Sequence, residues 1–356
     1  MTAFADGFVA YHIEVDVGDR QASATATTVK GWQSAFRTQG TWPEFPRSMV
    51  DELKKLNGVT NVICEGPQSS LLIPLRMVKG ITGATCDFST VLGTGAVTGA
   101  IEACLGQWGI ATTGVRRLAD ADAPIEISIR EPSGQHETVR LYPASRSRYR
   151  SKLQQPNTLP AQFLCNRFNK GVSTLASAVA ENAGLVSFRP RELGRHDRIE
   201  DYVSLLASTQ HLVLSSRHRM IRQFARQAGV ETPGGWPSTL EELSDPSAVA
   251  LVRWLWAQMP QGAIVVLVGY RGSEAAFFRD RLEPILVSAP QGYGPESRAA
   301  RIQGALLGEV MQASDDRDPC GDQTSWDAAC RSIVAAAFKG TESRPWRYQW
   351  LVGEGR

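Results

Sequence analysis

The sequence has few cysteines, and none of them are close together. The six, Cys64, Cys86, Cys104, Cys165, Cys320 and Cys330, include no CxxC pair. That argues against a zinc site or a disulfide framework and points to a reducing compartment. None of the five histidines has a metal-type neighbour, so no metal site is expected on them. Excess charge is also missing. The net charge is +2, so no global field draws the chain to nucleic acid or a membrane, and any basic site must be local. No apolar run approaches a membrane span. The opening "MTAFADGFVAYHIEVDVGDR" lacks a basic leader and a long apolar core, so a secretory signal is not expected. A cytoplasmic protein is expected, with an organelle left open. There is no internal repeat and no long low-complexity segment. No strand is followed by GxGxxG with an acid about twenty residues on, which disfavours a Rossmann dehydrogenase.

What the chain does have is length and alternation. Its 356 residues with 42% hydrophobic content can bury a sizeable core. "GFVAYHIEVDV" reads as a first strand ending near Asp16. Residues 21–46 are polar and Ser/Thr-rich, carry Trp32 and Trp42, and read as an insertion or lid. "VTNVIC" is a strand, and "SSLLIPLRMVKG" is a helix closed by Gly80. "IEISIREPSGQHETVRLYP" alternates around Pro-Ser-Gly as a hairpin does. Beyond it, "LVSFRP", "HLVLSS" and "AIVVLVG" are strands separated by helical segments, one of which places Trp254 and Trp256 in a core. Strands of four to seven residues between helices of ten to fifteen predict a three-layer αβα domain over residues 1–356, with a mainly parallel sheet and a small N-terminal β elaboration. Ligands of such sheets bind at the carboxyl ends of the strands.

One segment raises a chemical question. In "SAPQGYGPESRAARIQGALLGEVM", Gly292 and Gly294 run through Pro295 into a helix of small residues. Glycines before a helix N-terminus commonly cradle phosphate, because free backbone N–H groups and the helix dipole favour an anion. A nucleotide site normally adds an acid, yet the early helix offers Ser297, Arg298, Ala299, Ala300 and Arg301. A plain loop remains the competing reading.

Taken in order, the elements resemble the ribokinase (PfkB) family of sugar and nucleoside kinases over most of the chain. "AYHIEVDV" is similar to that family's first strand, whose terminal acid binds substrate hydroxyls, and Asp16 stands there. "EGPQSSLLIPLRMVKG" resembles its Gly-Gly helix, with Gly66 as the first glycine and Pro67 in place of the second. "VVLVGYRGSEAAFF" resembles the strand beside the nucleotide, which makes Gly269 and Gly272 candidate nucleotide contacts. The resemblance implies a ribokinase-like fold, ATP and magnesium as cofactors if the protein is active, and a sugar- or nucleoside-like small molecule as ligand. It also implies a possible homodimer or protein partner through residues 21–46. Neither a membrane nor nucleic acid is expected as a partner. "YPASRSRYRSKL" could touch phosphates, or it is simply a basic loop.

Departures from the family pattern concentrate on acids. With Gly304 aligned to the glycine one turn into the catalytic helix, the general-base position falls on Ala299, and an insertion separates Gly292 and Gly294 from the helix. The family's Asp-Pro-Asn step reads Arg189-Pro190-Arg191, and its Asn-x-x-Glu segment reads "SSRHR", ending on Arg219. Arginine can hold phosphate bidentately, but it offers magnesium no oxygen and cannot act as the base. Arg189, Arg191 and Arg219 are therefore candidate anion contacts, with solvated surface charge as the bland reading. A competing placement takes Cys320-Gly321-Asp322 as the catalytic marker, with Asp322 as the base. Asp322 lies 53 residues beyond Gly269, about twice the spacing the resemblance implies. The expectation is a protein with weak or lost phosphotransfer. An active kinase using Asp322 and a non-catalytic pseudokinase scaffold are the alternatives.

Overall fold

The computed structural model describes residues 2–149, 156–190, 198–215, 220–232, 234–270, 274–280, 282–290, 295–313 and 323–339. These residues form two compact units. The first holds the chain up to Gly7, the segment Ser70–Asp87 and the described residues after 155. The second holds Phe8–Ser69 and the described residues from Phe88 to 149.

In chain order, β1 (Thr2–Asp6) opens the first unit. The second unit takes β2 (Ala10–Val17), α1 (Ala22–Gln39), α2 (Arg47–Lys54) and β3 (Val59–Gln68). Next come α3 (Leu72–Thr82) in the first unit and β4 (Thr85–Leu92), which passes from the first to the second. There follow α4 (Ala96–Gln107), β5 (Ile110–Ala111), β6 (Val115–Arg117), β7 (Ile125–Arg130) and β8 (His136–Leu141). The chain returns to the first unit with β9 (Gln162–Cys165), α5 (Lys170–Glu181), β10 (Leu185–Phe188), α6 (Ile199–Leu206) and β11 (His211–Ser215). It ends there with α7 (Met220–Gln227), α8 (Asp245–Gln258), β12 (Ile264–Tyr270), β13 (Glu274–Phe278), β14 (Ile285–Ser288), α9 (Pro295–Ala313) and α10 (Gln323–Phe338).

The first unit is built on the strand order β14-β13-β12-β11-β10-β9-β1, with the start of β4 next. From β1 through β9, β10 and β11 to β12, neighbouring strands pair in parallel, and β13 and β14 close the edge as an antiparallel hairpin. Every residue of β12 is buried. Its unbroken apolar run suits a strand covered on both faces, where an alternating pattern would leave one face wet. Ile264, Val266 and Val268 pack with Phe277, Ala299, Ile302, Leu306 and Ile333 in one core cluster, so strand alternation turns Val265 and Leu267 to the opposite face. His211 opens β11 fully buried, and burial, helped by the charge of Arg279, pushes its pKa down to about 4. It is a neutral core histidine.

The second unit carries a four-stranded sheet in the order β3-β2-β7-β8. Here Tyr11, Ile13 and Val15 alternate with His12, Glu14 and Asp16, and α1 packs against β7 and β8. The backbone N–H of Ala22 at the start of α1 donates to Glu131 Oε1 at 2.8 Å. Residues 21–46, expected as an insertion or lid, are mostly this 18-residue helix. Its apolar positions Ala22, Ala26, Val29 and Phe36 lie on one buried stripe diluted by Ser and Thr, which hides the helical period from the eye.

Other boundaries also differ from the sequence reading. The stretch read as the first strand is β2, and a shorter strand, β1, precedes it. Helix α3 runs past Gly80 to a left-handed cap at Gly83, the usual glycine stop. Trp254 and Trp256 are half-buried, while Leu251, Val252 and Leu255 fill the core side of α8.

Helices α3 and α9 touch at two glycines. A Cβ on Gly304 would lie 2.5 Å from Met77 Cβ and 2.6 Å from the Pro74 carbonyl oxygen, and one on Gly308 would lie 2.9 Å from Ile81 Cβ. Glycine inside a helix ordinarily costs about 1 kcal/mol relative to alanine, so packing is what requires it here. Gly304→Ala is therefore expected to destabilise the protein by about 1–3 kcal/mol. Gly31→Ala, on α1 with no atom within 4 Å, should instead be neutral or stabilising by up to about 1 kcal/mol. Denaturant midpoints of the two variants check this. Equal effects would mean that the α3–α9 contact is looser than described.

Candidate functional site

Strand order locates the site. From β1 the chain goes to β4 on one side, and later returns to β9 on the other side of β1. The direction of winding thus reverses at β1 and β9. At such a reversal the loops leaving the two carboxyl ends part and open a crevice. Ala5 pairs with Leu164, so the next residues, Asp6 and Cys165, end their strands side by side. Asn166 and Arg167 follow. Asp6 is buried, and its Oδ2 accepts from Arg167 Nη2 at 2.7 Å. The Cys165 thiol is fully buried, and burial, followed by the nearby charge of Asp6, pushes its pKa well up. It is no nucleophile.

Two helices begin at this same edge. Gln303 of α9 donates to the Ser187 carbonyl oxygen at 3.3 Å and to its hydroxyl at 3.1 Å, near the carboxyl end of β10. One turn on, the Leu307 carbonyl accepts from Gln162, at the amino end of β9. Helix α9 therefore runs down the sheet from the carboxyl edge, and its first turns, with Arg298 and Arg301 buried, lie at that edge. The approach to α3 is fixed there too. Ser70 accepts from Asn166 Nδ2 through its hydroxyl, and its carbonyl accepts from Arg189. No acid lies in the first turn of α3, and its N-cap, Leu71, supplies no capping side chain. Both helices direct the positive ends of their dipoles to this edge.

Arg189 ties these parts together. It follows the last residue of β10 and is 1% exposed. Its Nε donates to Gln303 Oε1 at 3.1 Å, and its Nη2 donates to the Ser70 carbonyl. Expected as an anion contact, it is seen bonding the protein itself and pinning the starts of α3 and α9 to the sheet.

Of the remaining predicted residues, Asp16, Gly66 and Gly269 are among the described ones. Asp16 lies near the far end of β2 in the four-stranded sheet, where Asn61 Nδ2 donates to its Oδ2 at 3.0 Å. The first strand of the chain is β1, in the parallel sheet, and it ends on Asp6. The sequence reading missed this because "TAFAD" is short and alanine-rich. Gly66, a substrate-binding candidate by the resemblance to the Gly-Gly helix, and Pro67 are inside β3, paired with His12 and Tyr11. A register shift follows at once, and Gly66 has φ +87°. Gly269 also sits at a register shift, between Val268 and Tyr270, with φ +85°. Both glycines therefore meet the backbone demand of a bulge. Asp322, Gly272, Gly292, Gly294, Arg191 and Arg219 lie outside the described residues.

Ala299 is buried in the core cluster of α9. The insertion placed before the catalytic helix is corrected, because α9 already begins at Pro295, directly after Gly294 in sequence. Proline is favourable as a first helical residue. Counted from the turn, Pro295 falls in the acid position, and Glu296 is the first acid after it.

The second unit balances its own charges. The N-terminus of α4, which follows Gly93-Thr94-Gly95, looks like a phosphate cradle in sequence. Buried Asp122 already occupies it, accepting from the N–H groups of Val97 at 2.9 Å and Thr98 at 2.8 Å. A shallow pocket of about 410 Å³ is lined by Glu126, Thr138, Arg140, Tyr142 and Arg146. Glu126 and Arg140 in it are paired with each other. Burial alone would raise the Glu126 pKa, but bonds from His12 and Arg140 and their charges hold it down at about 2. In the basic stretch after Tyr142, Arg148 pairs with Asp120, and Tyr149 is buried, its hydroxyl donating to the Asp122 carbonyl. Among the described residues, no helix is long and apolar enough to cross a membrane.

No family model matches the chain, and no curated protein matches it. Solved structures do. A ribokinase from Giardia lamblia superposes with a TM-score of 0.61 at 12% identity, covering 95% of this chain and 94% of its own. Adenosine kinase from Schistosoma mansoni, in complex with 2-fluoroadenosine, gives 0.61 at 12% identity, covering 97% and 96%. A nucleoside kinase from Methanocaldococcus jannaschii gives 0.57 at 11% identity, covering 95% and 90%. The chain has the ribokinase-family fold, as its element order implied.

Replacing Arg189 tests its pinning role. Arg189→Ala strips the donor from Gln303 and from the Ser70 carbonyl in a buried place, and an unmet buried group costs about 1–3 kcal/mol. The expected loss is about 3 kcal/mol or more. Arg189→Lys should recover little, because a single ammonium cannot reproduce the planar fork. A loss under about 1 kcal/mol by denaturant unfolding would show that the pin carries no load.

Proposed function

We propose that this is a carbohydrate- or nucleoside-kinase-like protein. It binds a sugar- or nucleoside-like ligand at the carboxyl edge of β1 and β9, and holds nucleotide phosphate at the start of α9. Its ATP-dependent phosphotransfer is weak or lost. One observation carries the reading: where a catalytic acid would be needed, the start of α9 offers Pro295 by one count and buried Ala299 by the other. The neighbouring kinases include one solved with 2-fluoroadenosine bound, which supports the ligand class.

The residues at this edge suit phosphate better than magnesium. Arginine donors and helix N-termini bind phosphate oxygens, whereas magnesium asks for carboxylate or carbonyl oxygens in near-octahedral order. The acid the structure places here, Asp6, is already held by Arg167. ATP, when bound, would supply the transferable phosphoryl group. What this chain contributes is positioning, through α3, α9 and the groups fixed by Arg189, and positioning with electrostatics is most of what such catalysis requires. Without a general base the step loses about 10²–10⁴-fold.

Kinases of this general kind turn over at about 1–100 s⁻¹. Magnesium–ATP turnover over a panel of sugars and nucleosides is therefore expected below about 1 s⁻¹. Robust turnover abolished by Asp322→Asn would contradict this reading and make Asp322 the base. Robust turnover abolished by Glu296→Gln would assign the role to Glu296.

A further inference from the structure

The pocket of the second unit holds a charge that nothing offsets. Of its charged lining groups, Glu126 and Arg140 are paired with each other, and Arg146 is the third. Among the described residues no acid pairs with Arg146, whose side chain is exposed. The backbone that carries it is nonetheless fixed. Arg146 opens a single 3₁₀ turn, Arg146–Tyr149. Tyr149 is buried, and its hydroxyl donates to the Asp122 carbonyl at 2.7 Å. Arg148 Nη1 donates to Asp120 Oδ2 at 2.8 Å, and Arg116 Nη2 donates to the Arg148 carbonyl at 3.0 Å. Tyr142, which also lines the pocket, is held as firmly. Gln33 Nε2 donates to its carbonyl at 2.7 Å, and its N–H donates to Gln33 Oε1 at 2.9 Å. Its ring lies 6.2 Å from Phe8 and 6.1 Å from Tyr149. Walls fixed before a ligand arrives spare the cost of ordering them on binding.

We propose that this pocket binds a small hydroxycarboxylate, with Arg146 receiving the carboxylate and Glu126 and Thr138 meeting the hydroxyl groups. The lining carries one surplus positive charge, which a single carboxylate cancels. A phosphate monoester, at about −1.5 to −2, would leave surplus negative charge beside Glu126. The planar guanidinium also matches the two coplanar oxygens of a carboxylate. Glu126 is held by Arg140 and by His12, whose Nδ1 lies 3.5 Å from Oε1. An ionised carboxyl group offers about four acceptor sites, so these bonds leave it able to accept from a ligand hydroxyl. The Thr138 hydroxyl, 3.1 Å from His136 Nε2, likewise both donates and accepts. A volume of about 410 Å³ falls in the range of small-molecule sites. All these residues belong to the second unit, and the proposal does not depend on the reading of the carboxyl edge.

The test uses the full chain without nucleotide. Lactate, glycerate and quinate are titrated by calorimetry, with thermal unfolding alongside. Propionate (a carboxylate without a hydroxyl), glycerol (hydroxyls without a charge) and inorganic phosphate are the comparisons. At least one hydroxy acid should bind saturably, raise the melting temperature and bind more tightly than all three comparisons. Arg146→Gln should weaken that binding at least about tenfold, the loss expected for a hydrogen bond to a charged group. Arg146 is exposed and unpaired among the described residues, so the variant should melt without ligand as the parent does. Arg222→Gln, at an exposed arginine of α7 in the first unit, should leave binding unchanged. Failure of all three hydroxy acids to bind would overturn the proposal. So would binding that Arg146→Gln leaves intact, an equal loss in Arg222→Gln, or a comparison compound that binds as tightly as the best hydroxy acid. ATP plays no part in the assay, so its outcome is separate from the turnover result.

Discussion

The close approach of α3 and α9 is the constraint on which the rest of the first unit depends. Without side chains at Gly304 and Gly308, α9 lies directly against Pro74, Met77 and Ile81. That separation brings the starts of both helices to one edge of the sheet. It also lets one guanidinium, Arg189, bond an acceptor from each side, Gln303 on α9 and the Ser70 carbonyl ahead of α3. A wider spacing would leave Arg189 short of one partner. The small-residue character of "ARIQGALLGEV" is thus a packing requirement first, and it gives the site its geometry as a consequence.

Charge at this edge follows one pattern. Asp6 is buried and paired with Arg167, and Arg189, Arg298 and Arg301 are buried. A phosphoryl-transfer site needs its negative groups free to manage a proton or a metal. A binding site for an anion needs the reverse, donors held in place before the ligand arrives. At this edge the described donors Arg167, Arg189 and Gln303 are held by the protein's own acceptors. In the second unit, by contrast, a helix N-terminus that resembles a phosphate cradle in sequence is closed by Asp122.

Much of the fold was legible in the sequence, because a strand buried on both faces must be continuously apolar and a hairpin must turn. "AIVVLVG" became β12, and "IEISIREPSGQHETVRL" became the β7–β8 pair. The elements that escaped were those whose local signal is weak. "TAFAD" and "QFLC" are strands of five and four residues, too short for periodicity to speak. The period of α1 is blurred because a threonine, Thr25, and two alanines take places in its buried stripe. The site was less legible, for a different reason. Asp6 and Arg167 are 161 residues apart in sequence, and only the parallel pairing of β1 with β9 makes them neighbours. Asp16 was placed at the end of the first strand, but the strand that carries it is the second, because β1 precedes it. Arg189 was visible as a departure from a family pattern, but its partners Ser70 and Gln303 were not, since no spacing in the chain announces them.

Calorimetric titration of ATP into the full-length protein, with magnesium present and with the metal chelated, tests the central claim most directly. If the carboxyl edge holds phosphate through helix N-termini and arginines, ATP should bind in both conditions with affinities within about threefold of each other, a difference of about 0.65 kcal/mol. Binding that appears only when magnesium is present would mean that acids order a metal at this edge, and would contradict the account.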